Sequence, residues 1–211
     1  MLKRSFDIVS SVVVCMTLAP LMGAIALWVH LDSKGPVFFK QERIGQGGVP
    51  FRILKFRTMH HRAPDDIDQI NERVVSDDTD ARITRAGRLL RRTSLDELPQ
   101  LMNIISGDMS VVGPRPVIPE QLEVVPEVYL ERFDVRPGLT GLAQIRGRRT
   151  LGWLEQLEAD AEYVRTRSFL RDLWIILKTV EVVMMSKGIY GGTGQNWRAY
   201  RAQIKGEETP E

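Results

Sequence analysis

The sequence predicts an α/β single domain anchored to a membrane: an amino-terminal re-entrant helix broken at a proline, a small β-hairpin or sheet, and several amphipathic interfacial helices. Three observations predict it. One run, Ile8–Leu31, holds 24 residues without Asp, Glu, Lys or Arg, and a ~30 Å hydrocarbon core needs about 20. Two short β-rich runs, Val37–Phe39 and Phe51–Phe56, enclose Gly45, Gly47, Gly48 and Pro50 as turn formers. The stretches from Trp153 and from Leu170 repeat apolar residues at helical spacing. The boundaries that follow are a membrane helix over 1–34, a body over 35–190 and a polar tail over 191–211.

Composition narrows the class. Of 211 residues, 43% are hydrophobic, too many for a disordered chain. A globule of this size buries roughly 70% of its extended surface and needs no staple. Cys15 is the single cysteine, which excludes a disulfide framework and fits a reducing compartment. The net charge of +2 conceals blocks. Residues 1–62 carry nine Lys/Arg against three Asp/Glu, residues 63–80 one against seven, and residues 81–100 five against two. Basic blocks of this kind meet nucleic acid, a membrane surface or a phosphorylated small molecule.

Pro20 divides the apolar run into halves of 12 residues, each about 18 Å long as helix. Proline lacks an N–H and clashes with the carbonyl four residues back, so a kink or break is expected there. Lys3 and Arg4 precede the run, and Lys34, Lys40, Arg43, Arg52, Lys55 and Arg57 follow it. Positive charge favours the cytoplasmic side, and here both ends claim it. A helix that enters, turns at Pro20 and leaves by the same face satisfies both flanks. A kinked single span and a long soluble core helix are the other readings of these residues. The run is too long for a signal-peptide core, and no small-residue cleavage pattern ends it.

In the second β-rich run, alternation puts Phe51, Ile53, Lys55 and Arg57 on one face. Lys55 then stands among apolar neighbours, either covering the sheet edge with its stem or contacting an anion. Residues 60–80 are acidic and poor in apolar side chains, which predicts a surface loop or short polar helix; their acids lack metal-ligand spacing.

Arg82, Arg85, Arg88 and Arg91 or Arg92 recur at three- to four-residue spacing, so a helix aligns several of them. Ser94-Leu95-Asp96-Glu97-Leu98-Pro99 follows. Ser94 and Glu97 fit a capping box, but a helix begun at Ser94 would meet Pro99 in its first turns. A helix starting nearer Pro99 leaves both carboxylates at its mouth. From residue types alone capping outranks catalysis. Even so, paired acids beside guanidinium groups suit phosphate chemistry: arginine forks neutralise phosphate oxygens, one carboxylate holds Mg²⁺, and a second can attack phosphorus. Gly113-Pro114-Arg115-Pro116 fixes one arginine between two prolines.

Further on, Trp153–Arg167 and Leu170–Met185 each predict a helix, lying in the headgroup region or packed on the core. After Tyr190 the Gly-rich stretch and the polar end Glu207–Glu211 predict a loose tail, with Trp197 and Tyr200 as its available anchors.

The segment RITRAGRLLRRTSLDELPQLMNIISGDMSVVGPRP, Arg82–Pro116, resembles the bacterial sugar transferases, the short form of the monotopic phosphoglycosyl transferases. The resemblance extends to KRSFD at Lys3–Asp7, KFRTM at Lys55–Met59, RPGLTGLAQIRGR at Arg136–Arg148 and DLWIILKT at Asp172–Thr179. It covers the chain from Lys3 to about Tyr190. It implies transfer of a sugar 1-phosphate from a UDP-sugar to polyprenyl (undecaprenyl) phosphate, releasing UMP, through a covalent phosphosugar–aspartate intermediate. This is the first membrane step of surface-glycan synthesis. It further implies Mg²⁺, a re-entrant helix broken near Pro20, membrane lipids as partners and an active site on the cytoplasmic face of the bacterial inner membrane. By motif position Asp96 is the nucleophile and, with Glu97, the metal-binding pair. Lys55, Arg88 and Arg115 surround the phosphates, and Arg148 lies toward the nucleotide. Residues 35–190 then form the catalytic domain; a homodimer stays open. Three positions depart from the family pattern: Ala19 before Pro20 where serine is frequent, Leu142 where tryptophan is, and Arg146 where a small polar residue is usual. Two rivals lose ground. A non-enzymatic scaffold explains neither SLDEL nor GPRP, and a nucleic-acid-binding protein has no use for the apolar amino terminus.

Overall fold

The apolar run lies inside one helix, α1 (Leu2–Asp32), in a computed structural model that describes residues 2–63, 66–72, 75, 77, 79–147, 150–185 and 196–206. Pro20 lies inside α1, whose helical residues continue on both sides of it. Its missing N–H removes a single bond, to Met16, and the residue is exposed, while tertiary contacts fasten both flanks. At the amino end Lys3 Nζ lies 2.6 Å from Asp172 Oδ2, Arg4 donates to the Ile104 carbonyl at 2.7 Å, and Asp7 accepts from Ser110 Oγ at 2.8 Å. At the carboxyl end Arg57 donates to the Ser33 and Lys34 carbonyls at 2.6 and 2.8 Å, and Asp32 Oδ2 accepts the Ala86 N–H at 2.8 Å. One face of α1 is covered through Asp7, Ser11, Ile25 and Val29, while Val9, Val13, Met16, Leu21, Leu27 and Leu31 are exposed on the other. Among the described residues α1 is the helix long and apolar enough to cross a membrane.

β1 (Phe38–Ile44) and β2 (Pro50–Phe56) form the expected antiparallel hairpin, in register Phe38↔Phe56 to Ile44↔Pro50. Helix α2 (Arg85–Thr93) begins where Thr84 Oγ1 accepts the Gly87 N–H, and α3 (Gln100–Ser106) begins directly after Pro99. β3 (Ser110–Val112) pairs in parallel with β4 (Gly138–Thr140), a sheet the sequence pattern did not announce. Between them run the one-turn helix α4 (Pro119–Leu122) and a 3-10 stretch, Glu127–Phe133. α5 (Leu142–Arg146), α6 (Trp153–Thr166), α7 (Phe169–Met184) and α8 (Trp197–Lys205) complete the body.

Burial separates the two helices that patterning left open. α6 is a core helix: Trp153, Leu157, Ala159, Ala161, Tyr163 and Val164 are buried, so its amphipathicity serves packing rather than a bilayer surface. α7 buries only Asp172 and Ile175 and exposes Leu170, Trp174, Leu177, Val180 and Met184. The loose tail is corrected in part. α8 starts on an Asn196 cap, and buried Trp197 joins Ile44, Val117, Trp153 and Leu157 in one cluster. A second cluster, Phe56, Ala86 and Leu90 with Ile25 and Val29, binds α2 and β2 to α1. The third and fourth join α3 to β2 and α5–α7 to β3.

Candidate active site

α2 stops at Thr93 because Ser94 turns left-handed, φ 58° and ψ 16°, alone among the described non-glycine residues in having positive φ. A single 3-10 turn, Leu95–Glu97, follows and leads through Pro99 into α3. The capping box does not form, since the Ser94 side chain makes no cap bond. The alternative helix start beyond Pro99 is the one adopted. Leu95 and Leu98 pack inward against the Phe56–Leu90 cluster, which leaves Asp96 and Glu97 half-buried between them. A serine held in the left-handed region costs about 1–2 kcal/mol, and here it sets the direction of the acidic turn.

β2 supplies the counter-charge. Ile53 is buried and Lys55 follows it two residues on. Lys55 Nζ lies 2.7 Å from Glu97 Oε1, with the two side chains 16% and 23% exposed. Burial pushes the Lys55 ammonium below its ordinary range, while the Glu97 and Asp96 charges oppose that shift. Arg57, two residues further, is not part of this group; it is buried and caps the end of α1.

Arg115 arrives from the far side, on the loop after β3. Gly113 and Gly138 cross so tightly that a Cβ on Gly138 would lie 2.1 Å from the Gly113 nitrogen. The loop carbonyls are then fastened in turn: Pro114 by Gly138 N–H at 2.8 Å, Arg115 by Arg132 at 2.8 Å and Pro116 by Arg43 at 3.3 Å. Arg115 Nη2 consequently stands 3.7 Å from Glu97 Oε1. Lys55, Glu97 and Arg115 are thus brought together beside Asp96. Arg88 stands exposed on α2 outside these contacts, and Arg148 lies outside the described residues. Arg82 leaves the expected arginine stripe to pair with Asp80 and Glu72 at 2.6 and 2.9 Å.

A cavity of about 600 Å³ opens beside this group, with Arg115 and Arg91 in its wall. Arg43, Arg82 and Arg198 add positive charge, and Phe39, Trp153 and Trp197 add apolar surface. The size is that of a small-molecule site, and such a lining suits an anion carrying a flat ring. Sequence reading singled out none of Arg43, Arg132, Asp160 or Arg198 for this place, because they come from four separated elements and share no motif.

Among the described residues no three His, Cys, Asp or Glu side chains form a metal cage. The donor set at Asp96–Glu97 nonetheless suits Mg²⁺, which commonly takes one or two carboxylates and completes its shell with water and substrate phosphate.

Comparison with known proteins adds the following. A sequence model of the bacterial sugar transferases matches residues 1–186. A UDP-glucose:undecaprenyl-phosphate glucose-1-phosphate transferase of Caulobacter vibrioides is 44% identical over 197 residues, covering 89% of this chain and 72% of the relative. The uncharacterized sugar transferase EpsL of Bacillus subtilis is 43% identical, over 89% of this chain and 90% of its own. The exopolysaccharide production protein ExoY of Rhizobium meliloti is 40% identical, over 90% and 88%.

Proposed function

The chain belongs to the bacterial sugar transferase family, and from that premise we propose that it moves a sugar 1-phosphate from a UDP-sugar to undecaprenyl phosphate at the cytoplasmic face of the bacterial inner membrane. The observation that carries the proposal is the Lys55–Glu97–Arg115 charge group, set beside Asp96 at the edge of an arginine-rich cavity. In the first half-reaction an Asp96 carboxylate oxygen attacks the sugar-bearing phosphorus. The bond from that phosphorus to the bridging oxygen breaks, and UMP leaves with the electron pair. In the second, a phosphate oxygen of undecaprenyl phosphate attacks the same phosphorus and frees the Asp96 carboxylate, giving undecaprenyl-diphosphate sugar.

Lys55 and Arg115 hold the diphosphate and stabilise the charge that grows on its equatorial oxygens. Glu97 keeps both cations in place before substrate arrives. Asp96 and Glu97 would hold Mg²⁺, which when bound neutralises charge on the diphosphate. The cavity takes the nucleotide, since Arg115 belongs to both its wall and the charge group. A covalent route avoids seating two large anions at once. The exposed faces of α1 and α7 are the surfaces we assign to lipid.

The test is UMP release by detergent-solubilised protein given undecaprenyl phosphate, Mg²⁺ and a panel of UDP-sugars, with UDP-glucose first because it is named in the Caulobacter relative. Release from one or a few donors, abolished in Asp96→Asn, is expected. Full release in Asp96→Asn removes the nucleophile; silence across the panel from folded protein removes the activity.

A further inference from the structure

Arg132 and Asp160 form an ion pair, 2.6 Å apart with side chains 3% and 2% exposed, in the wall of the cavity and away from Asp96. Nothing in the proposed chemistry uses either charge directly. Burying two ions costs more than apolar packing of the same volume commonly would, so stability alone is a poor reason for the pair. Its geometry supplies a better one. Arg132 Nη2 donates to the Asp160 carboxylate and, at 2.8 Å, to the main-chain carbonyl of Arg115. The Asp160 carboxylate in turn anchors the Arg132 guanidinium from the α6 side. The pair therefore holds the Arg115 residue by its main-chain carbonyl. Arg132 is itself fixed by stacking on the Phe133 ring, 5.2 Å from its centroid.

We infer that the Arg132–Asp160 pair is a positioning device for Arg115, holding its backbone so that the guanidinium meets the donor diphosphate beside Glu97. The inference rests on the proposed role of Arg115. The neighbouring bonds explain why a charged clamp is needed. Pro114 and Val117 have their carbonyls tied to main-chain N–H groups of Gly138 and Ile44. Arg115 has no strand partner of that sort, and Pro114 and Pro116 on either side contribute no N–H. The clamp substitutes for the missing ladder.

The test is a cycle of four full-length proteins in detergent: wild type, Arg115→Ala, the neutral pair Arg132→Met with Asp160→Leu, and all three substitutions together. Displacing a group that orients substrate by about 1 Å costs on the order of 10²-fold in rate. The neutral pair should therefore lose about 10–100-fold in kcat/KM, yet add nothing once Arg115 is alanine. An equal loss in the Arg115→Ala background would overturn the inference, because the pair would then act on the fold and not through Arg115. Hydrogen exchange supplies a readout independent of turnover. The Gly138 and Ile44 amides, which bond the loop carbonyls on either side of Arg115, should lose protection in the neutral pair while α6 and α8 keep theirs; unchanged exchange at both would also overturn it. If the neutral pair does not fold, Arg132→Lys serves in its place. It keeps the charge opposite Asp160 but lacks the planar guanidinium that lies over the Phe133 ring and aims Nη2 at both oxygens, and the same two outcomes decide. A wild type silent toward every UDP-sugar refutes the proposed function, and the exchange measurement still decides the clamp.

Discussion

Gly87→Ala is the sharpest test of how α2 positions the acidic turn. The Thr58 carbonyl accepts the Thr84 N–H at 3.1 Å and lies directly against Gly87. A Cβ on Gly87 would stand 2.0 Å from that oxygen and 2.7 Å from its carbon, both backbone atoms with no flexible end to swing aside. Ordinary contact begins near 3.4 Å, so the Thr58 segment and α2 must part by about 1.4 Å. Alanine inside a helix gains up to about 1 kcal/mol over glycine, whereas overpacking of a tight contact costs about 1–3 kcal/mol and sometimes more. The contact wins because no rotamer relieves it. Thermal unfolding in detergent should show a net loss of about 1–2 kcal/mol, which for a domain of this size lowers Tm by roughly 2–8 °C. α2 runs directly into Ser94 and the Leu95–Glu97 turn, so its displacement carries Asp96 with it. UMP release should fall on the order of 10²-fold. A variant with raised Tm and full turnover would mean that helix propensity decides at this site, and that α2 does not set the turn.

Three further outcomes are expected. Ser94→Gly removes the left-handed penalty and should raise stability by about 1 kcal/mol, whereas Ser94→Val should lower it; unfolding midpoints that rank the other way would exclude strain at this position. Hydrogen bonds from Arg82 hold the Asp80 carboxyl at about 2, below the 3.8 of an unperturbed aspartate. That contribution is complete above the unfolded value and is lost as pH falls through the folded one. Asp80→Asn should therefore cost at most about 2 kcal/mol at pH 7, with the deficit shrinking between pH 4 and pH 2 in denaturant titrations; a deficit independent of pH would assign it to something other than charge. Trp197→Ala should cost about 3–5 kcal/mol, because Trp197 is buried in the Ile44–Leu157 cluster, and a change under 0.5 kcal/mol in the unfolding free energy would return α8 to the status of a loose tail.

Legibility in the sequence followed the range of the interaction. The hairpin was readable because turn residues and β-rich runs are local, and the helix start beyond Pro99 because proline acts within one turn. Lys55 stood out as a charge on an otherwise apolar face, and it does meet a carboxylate. Three things were not readable for stated reasons. Helical spacing alone cannot separate a core helix from an interfacial one, so α6 and α7 carried the same prediction and took different places. Pro20 disturbs α1 only locally, and the contacts that fasten its two flanks come from residues 169 and 54 positions away. Arg132 and Asp160 are 28 residues apart and belong to different elements, and no pattern of residue types marks a pair that exists only after folding.

The fastening of α1 bears on where the reaction would occur. Thirty-one helical residues extend about 46 Å as a straight helix, and polar contacts tie both ends to one body, with the buried residues Asp7, Ser11, Ile25 and Val29 near those ends. If α1 crossed the bilayer as a simple span with these contacts intact, that body would lie at hydrocarbon depth beside it. Lys55, Glu97 and Arg115 would go with it, and each ionised group at the centre of a membrane costs at least about 2.5–3.5 kcal/mol. A body kept on one side avoids that cost and still offers the outer, apolar face of α1 to lipid. The arrangement also suits the substrates proposed for it. A lipid-borne phosphate is confined to the headgroup plane, and a water-soluble nucleotide sugar arrives from the aqueous side. Asp96, on a turn between α2 and α3 with α1 packed against both, is carried by the elements that such a helix would hold at that plane.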